Sequence, residues 1–318
     1  MTDAYLQNVT LHNFKCFRDA SVDLCPLTVL IGKNDTGKSS FLDAISYAAW
    51  MSDGRERDHT EPVPAELATR GCTTNESKLT FQFEHGVLFF EPLETRRRNG
   101  TATLDNVQPP YCLEPHLLRN PAVVGSLGKL PLPYNGQGLV AALDRFSTNQ
   151  FVALQNEFIA HIPTITEIRL ESPQPGEKEL WFEVRGVGLL QARFVSDGAM
   201  LLLAFLTIIH DENAPKILLI EEPENGIHPK QLEYIVHSFY SLTRRPNPIQ
   251  IILTTHSPYI LDFVDKKDIR VFTRDESGGA IVSPFESLKG ISDMLSSGYT
   301  QGEAWYNSDE DELVKQSG

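Results

Sequence analysis

"LTVLIGKNDTGKSSFLDAISYAAW", residues 27–50, is the stretch on which the reading of this chain turns. Leu27 to Ile31 form an unbroken apolar run of strand length, the kind buried on both faces inside a parallel sheet. "GKNDTGKS", Gly32 to Ser39, follows at once and fits G-x-x-x-x-G-K-[ST]. A helical pattern comes next, with Phe41, Ile45 and Ala48 or Ala49 recurring at helical spacing. In that context the glycines let the backbone of Gly32, Lys33, Asn34, Asp35, Thr36 and Gly37 curl so that its N–H groups point inward at an anion. The helix start at Lys38, Ser39 and Ser40 aims its dipole at the same place. Lys38 supplies positive charge to β- and γ-phosphates, and Ser39 offers a hydroxyl to Mg²⁺. These residues predict a nucleotide site.

"KILLIEEPENGIHP", residues 216–229, is a second apolar run, and it ends in two carboxylates. An acid at the tip of a neighbouring strand helps to hold Mg²⁺ in sites of this kind, which suits Glu221. Glu222 is placed to reach the attacking water as general base. "IILTTHSPYILD" brings His256 to the end of another apolar strand, where an imidazole can hydrogen-bond a γ-phosphate. "RFVSDGAMLLLAFL", residues 193–206, sets Ser196, Asp197 and Gly198 just before an apolar helix. Taken alone, that segment reads first as a helix N-cap and only second as an anion-binding end.

The 318 residues suffice for one large domain or two ordinary ones. With 41% hydrophobic and 22% charged residues, the composition is that of a globular protein. A net charge of −14 argues against sequence-independent nucleic-acid binding by the whole surface, though not against a local basic groove. No apolar run is long enough to predict a transmembrane helix, and "MTDAYLQNVTLHNF" lacks the features of a signal peptide. Cys16, Cys25, Cys72 and Cys112 are scattered without a CxxC, so reduced thiols and a cytoplasmic location are expected rather than a zinc site.

Outward from the loop, "AYLQNVTLH" and "RDASVDL" read as strands joined by "NFKCF", a turn with aromatic anchors. Residues 52–77 read as polar loop with short helices, and "KLTFQFEHGVLFFEP" as a hairpin turning at His85-Gly86. A long amphipathic helix is predicted over 138–162, followed by strands "TEIRLES" and "ELWFEVRG". Helices at 198–210 and 229–243 and strands at 216–221 and "IQIILTTH" complete a strand–helix alternation. "DIRVFTR" and "AIVSPF" are expected as two edge strands. The alternation means α/β architecture with a largely parallel central sheet. The acidic tail 309–318 reads as disordered.

The order of these motifs resembles the ATP-binding-cassette class of ATPases, specifically the RecF, SMC and OLD-like group of AAA-family ATPases. "NVTLHNFKCFRDASVDL" looks like that group's opening strands, and "GEAWYN", residues 302–307, is similar to endings of its stand-alone members. The resemblance covers residues 4–50 and 190–265 well and 78–190 weakly. It implies an ABC-type P-loop NTPase with a mixed central sheet, an antiparallel β-subdomain and a helical insertion. It further implies one ATPase domain over 1–308, made of lobes at 1–93 and 191–308 around an insertion at 94–190. ATP and Mg²⁺ are the implied cofactors. Two copies are implied to close head to tail, with Ser196 and Gly198 of one binding the γ-phosphate held on Lys38 and Ser39 of the other. The resemblance also implies that Glu222 polarises the attacking water and that His256 senses the γ-phosphate.

The chain departs from the pattern at "VSDGA", where transporters carry Leu-Ser-Gly-Gly-Gln, and at Glu221, where aspartate is commoner. The longer acid predicts slow turnover. Gln82 and Gln155 are the candidates for the family's Mg²⁺-contacting glutamine. The stretch after His256 is short for a nuclease domain, so a separately encoded nuclease or effector is the expected partner, by analogy. DNA is a further candidate, with Lys15 the better contact residue. The clusters at 96–98, Arg244-Arg245 and Lys266-Lys267 read more simply as solvated charge. A transporter ATPase subunit and a non-hydrolysing ATP sensor are the alternatives.

Overall fold

The computed structural model describes residues 5–53, 68–69, 76–90, 98–100, 104 and 107–308. Most of the 52–77 stretch, Arg96, Arg97, Cys72 and the tail 309–318 lie outside the described residues. The described strands are β1 (Leu6–Phe14), β2 (Phe17–Asp23), β3 (Leu27–Ile31), β4 (Lys78–Phe83), β5 (Gly86–Phe90), β6 (Arg98–Gly100) and β7 (Ala122–Val123). They continue with β8 (Ile165–Glu171), β9 (Glu177–Val184), β10 (Gly188–Gln191), β11 (Ile217–Glu221), β12 (Gln250–Thr255), β13 (Ile269–Arg274) and β14 (Ala280–Pro284). The described helices are α1 (Lys38–Asp53), α2 (Pro115–Leu118), α3 (Leu139–Asp144), α4 (Thr148–His161) and α5 (Asp197–His210). After them come α6 (Pro229–Arg244), α7 (Pro258–Leu261), α8 (Lys289–Ser296) and α9 (Gln301–Tyr306).

Two compact units emerge. The first takes its residues from 1–110, 216–222 and 243–318, and the second from 111–215 and 223–242.

In the first unit, β3 lies inside a sheet of order β11-β12-β3-β13-β14. All five residues of β3 are buried, as an apolar strand flanked on both edges and covered on both faces must be. β11, β12, β3 and β13 run parallel, and β14 returns antiparallel on β13. A second sheet, β2-β1-β4-β5-β6, is antiparallel. Its β4–β5 hairpin turns through Glu84 and His85, with Phe83 paired to Gly86. α1 packs into a core that joins Leu11, Leu79 and Phe81 of this sheet to Leu30, Ile252 and Phe272 of the other. Each such fully buried Leu, Ile or Phe stabilises the fold by about 1.5–3 kcal/mol. Gln250, only 1% exposed, bonds both ways to the backbone of Leu6, its Oε1 accepting from the amide at 2.9 Å and its Nε2 donating to the carbonyl at 2.8 Å.

The expectation of two edge strands fails at β13. It is an interior strand, paired with β3 on one side and β14 on the other. Arg270 disguises it, because a charged residue alternating with Ile269 and Val271 reads as a solvated face. Its guanidinium is instead buried and donates to the carbonyls of Asp23, Lys267 and Ile269.

In the second unit β9 pairs antiparallel with β8, β10 and β7. α5 buries ten consecutive residues, Ala199 to Ile208, and so is a core helix apolar on all sides. Phe205 meets Phe239 of α6 edge to face at 6.2 Å. His210 Nε2 lies 2.7 Å from Glu157 Oε2, and this hydrogen bond holds the Glu157 carboxyl below its ordinary value. The helix expected over 138–162 is two helices, α3 and α4. Ser147 opens the second with a capping box, its side chain accepting from the Gln150 amide while Gln150 Oε1 accepts from the Ser147 amide.

Candidate nucleotide-binding site

β3 delivers the chain to Gly32 directly beside the β13 backbone. A Cβ at Gly32 would stand 2.2 Å from the carbonyl oxygen of Phe272, so no larger residue fits without moving a strand. Gly37, at φ +108, is equally constrained, since a Cβ there would meet Cys16 Sγ at 2.8 Å. Between them Asp35 takes the left-handed conformation at φ 63, unusual for a non-glycine residue. Arg274, the last residue of β13, holds it there, its Nε donating to the Asp35 carbonyl at 2.6 Å and its Nη2 to the same oxygen. Lys38 is 5% exposed and its Nζ donates to the carbonyls of Gly32 and Lys33, each at 2.8 Å. Thr36 Oγ1 closes the loop by donating to the Lys33 carbonyl at 2.9 Å. Gly32→Ala is therefore expected to lower stability by about 2 kcal/mol, read as a fall in urea midpoint.

Opposite the loop stand the ends of β11 and β12. Glu221 closes β11 in register with Thr254. Glu222 then leaves the strand at φ 44, its amide donating to the Thr254 carbonyl at 3.1 Å and to Thr254 Oγ1 at 3.3 Å. This left-handed step breaks the alternation of strand side chains and turns Glu222 into the cavity. His256, just past β12, brings Nε2 to 2.9 Å from Glu222 Oε1. Ser257 steadies that turn by donating its amide to Thr255 Oγ1 at 2.9 Å.

These groups surround one open, polar cavity of about 470 Å³. Asn34, Asp35, Gly37, Lys38, Ser39 and Ser40 line it from the loop, and Glu222 and His256 from the facing strands. The remaining lining residues, Cys16 and Arg274, are ones that sequence reasoning does not single out. Arg274 is legible only once β13 is placed beside β3, because parallel neighbours bring their C-terminal ends to the same edge of a sheet. Gly32, Lys33 and Thr36 shape the loop without lining the cavity. Glu221 does not line it either. Of the two glutamine candidates, Gln82 is exposed on β4, and Gln155 Oε1 accepts from the Ile168 amide at 2.8 Å. Neither lines the cavity.

Chemically, a deep ammonium, a glycine-bounded loop and a guanidinium suit a polyphosphate. The Ser39 hydroxyl and the Glu222 carboxylate are hard oxygen donors, which fits Mg²⁺. Burial pushes the Cys16 thiol up, against a hydrogen bond with Ser40 and the charge of Arg274. A neutral thiol reacts slowly. Maleimide labelling of Cys16, followed by peptide mapping, is expected to slow about fivefold or more once the cavity is filled by ATP and Mg²⁺. Equal rates with and without nucleotide would place the nucleotide elsewhere.

Ser196, Asp197 and Gly198 are grouped in the second unit at the start of α5. The cap reading is realised, with Ser196 Oγ accepting from the Ala199 amide at 3.4 Å, a long and therefore weak bond. Gly198 is packed against backbone, for a Cβ there would lie 2.8 Å from the Gly226 carbonyl. Three of the candidate DNA contacts are engaged within the chain. Lys15 Nζ lies 2.5 Å from Asp43 Oδ2, Lys266 pairs with Glu286 at 3.7 Å and Lys267 with Asp265 at 3.8 Å. Among the described residues no helix is long and apolar enough to cross a membrane.

Comparison with known proteins supplies the wider setting. The family model described as "AAA ATPase domain" matches residues 5–90, and that described as "AAA domain, putative AbiEii toxin, Type IV TA system" matches residues 123–262. The chain is similar to the DNA double-strand break repair Rad50 ATPase of Halobacterium salinarum, 38% identical over 79 residues, or 24% of this chain and 8% of that protein. It is also similar to the Old nuclease of Escherichia phage P2, 22% identical over 95% of this chain and 65% of the nuclease. It thus spans less than two thirds of either relative. A solved Smc head bound to the C-winged helix domain of ScpA superposes with a TM-score of 0.60 at 14% identity, covering 88% of this chain and 97% of that one. The SMC head domain of Thermotoga maritima gives 0.52 at 15% identity, over 88% of this chain and 98% of that one. At such identities the likeness establishes the fold alone, that of the SMC heads. One AAA model thus spans the Gly-rich loop between β3 and α1 and a second matches downstream of it, so the chain is similar to AAA-family ATPase domains over both stretches, and to Rad50, Old nuclease and SMC heads as given above.

Proposed function

We propose that this chain binds ATP with Mg²⁺ in the cavity under Lys38, closes head to tail with a second copy around the nucleotide, and hydrolyses it. The observation that carries the reading is the meeting of Glu222 and His256 with Lys38 and Ser39 around one cavity. The triphosphate lies along the loop, with Lys38 drawn from its two carbonyls onto the β- and γ-phosphates. Mg²⁺ would be held by Ser39 and, through a water, by Glu221, which does not itself line the cavity, and would offset the charge of the phosphates. Glu222 accepts the proton of the attacking water. His256 holds the Glu222 carboxylate in line and hydrogen-bonds the γ-phosphate. Ser196 and Gly198 of the second copy complete the γ-phosphate's shell, with Asp197 beside them. Hydrolysis removes the group that both copies grip, and the dimer opens.

Such a switch suits a partner acting on DNA, a separately encoded nuclease or anti-phage effector, with a cytoplasmic setting. The names of the Rad50 and Old nuclease relatives support that direction. The test is ATP turnover by the wild type, without and with DNA, beside the mass of Glu222→Gln in ATP and Mg²⁺ by light scattering. No turnover under any of these conditions favours a non-hydrolysing sensor. A variant that stays monomeric sinks the head-to-tail arrangement.

A further inference from the structure

Arg119 belongs to no motif in the sequence, yet its side chain makes four hydrogen bonds, three of which converge on one segment. It follows α2, and Nη1 donates back to the Pro115 carbonyl at 2.6 Å. Nε donates to the carbonyl of Ala192 at 3.2 Å, and Nη2 donates to the Val195 carbonyl at 2.8 Å and to Asp197 Oδ1 at 2.6 Å. The side chain is 16% exposed, while that of Asp197 is 66% exposed. Only a guanidinium presents enough donors in a fixed plane to serve all four acceptors.

The acceptors are informative. Ala192 opens and Val195 follows the short turn that ends at Phe194, and Asp197 is the first residue of α5. Backbone is therefore gripped immediately before Ser196, and a carboxylate immediately after it. The cap bond that would otherwise orient Ser196 is the weak one, at 3.4 Å. From the other side, the Gly226 carbonyl abuts Gly198. The turn is thus directed by Arg119 from outside the helix more than by its own cap.

We propose that Arg119 is the positioning residue of the Ser196–Gly198 turn, fixing the direction in which the Ser196 hydroxyl and the Gly198 amide meet the nucleotide held by a second copy of this chain. The inference rests on the head-to-tail reading above. It gives residues near 119 a role in that reading, that of a brace for the surface presented to the partner copy. Loss of the brace leaves the chain's own phosphate loop untouched, since no residue of that loop bonds to Arg119 among the described residues. Closure around ATP weakens, and capture of ATP by the single chain does not.

The experiment uses the full chain carrying Glu222→Gln, alone and combined with Arg119→Ala or Arg119→Lys. Lysine keeps the charge and one bond but not the fork. Dimer formation in ATP and Mg²⁺ is followed against protein concentration by light scattering, and nucleotide binding by a fluorescent ATP analogue at concentrations where every variant is monomeric. The double variants are expected to need roughly tenfold more protein to dimerise while binding the analogue within about twofold of Glu222→Gln. Unchanged dimerisation in both double variants overturns the proposal, as does analogue binding that falls in parallel. Should Arg119→Ala not fold, Arg119→Lys carries the test with the same criteria. A parent Glu222→Gln that fails to dimerise is a different result, and it removes the head-to-tail reading itself.

Discussion

Glu222→Gln is expected to slow ATP turnover roughly 1,000-fold, about 4 kcal/mol of activation free energy, while nucleotide affinity stays the same or rises. A glutamine fills the space of the glutamate and still accepts a hydrogen bond from His256 Nε2, which stands 2.9 Å from Oε1. It does not take a proton from water. The positive φ of residue 222 is no obstacle to the exchange, since both side chains meet the same backbone. Chemistry is lost and geometry is kept, so on the proposed head-to-tail reading the ATP-bound dimer is expected to accumulate. Steady-state phosphate release measures the first effect and light scattering the second. A drop of less than tenfold would mean that the proton goes elsewhere, and would return Glu222 to a structural role as the partner of His256.

Lys38→Ala carries the other large effect, a loss of roughly 100-fold or more in ATP affinity, about 3 kcal/mol. The ammonium is 5% exposed and already ordered on the Gly32 and Lys33 carbonyls, so little entropy is lost when it turns to a phosphate. Its removal leaves those carbonyls pointing at the incoming anion, which adds repulsion to the lost attraction. Arg274 is fixed on the Asp35 carbonyl and does not substitute for it. Calorimetric titration with ATP and Mg²⁺ reads the change directly. An affinity within threefold of wild type would show that the triphosphate is held by other groups.

The parts of the fold legible in the sequence are those where one local pattern leaves a single physical solution. Leu27–Ile31 followed by Gly32–Ser39 is such a place, since an apolar run has to be buried and a glycine-bounded turn into a helix has to receive an anion. The pairing of β4 with β5 is also legible, though the turn expected at His85-Gly86 falls one residue earlier, on Glu84 and His85. What stayed hidden depends on which distant segments meet. Arg270 makes β13 look like an edge because two of its three carbonyl partners, those of Asp23 and Lys267, lie outside the strand. With β13 misplaced, Arg274 had no reason to be drawn to the phosphate loop. The break between α3 and α4 did carry a local signal, the Ser147–Gln150 capping box, but the apolar period continues across it and dominates the reading. Glu222 and His256 were legible as neighbours of the loop, whereas the left-handed step that aims Glu222 was not.

That step has a consequence for how this protein tolerates change. A non-glycine residue at φ 44 is strained by about 1 kcal/mol, which glycine at 222 would relieve. On the proposed reading of Glu222 as the base, residue 222 is a point where thermal robustness and turnover pull in opposite directions. A library selected only for heat resistance is then expected to drift toward glycine there and to return sturdier proteins that have lost the proposed turnover.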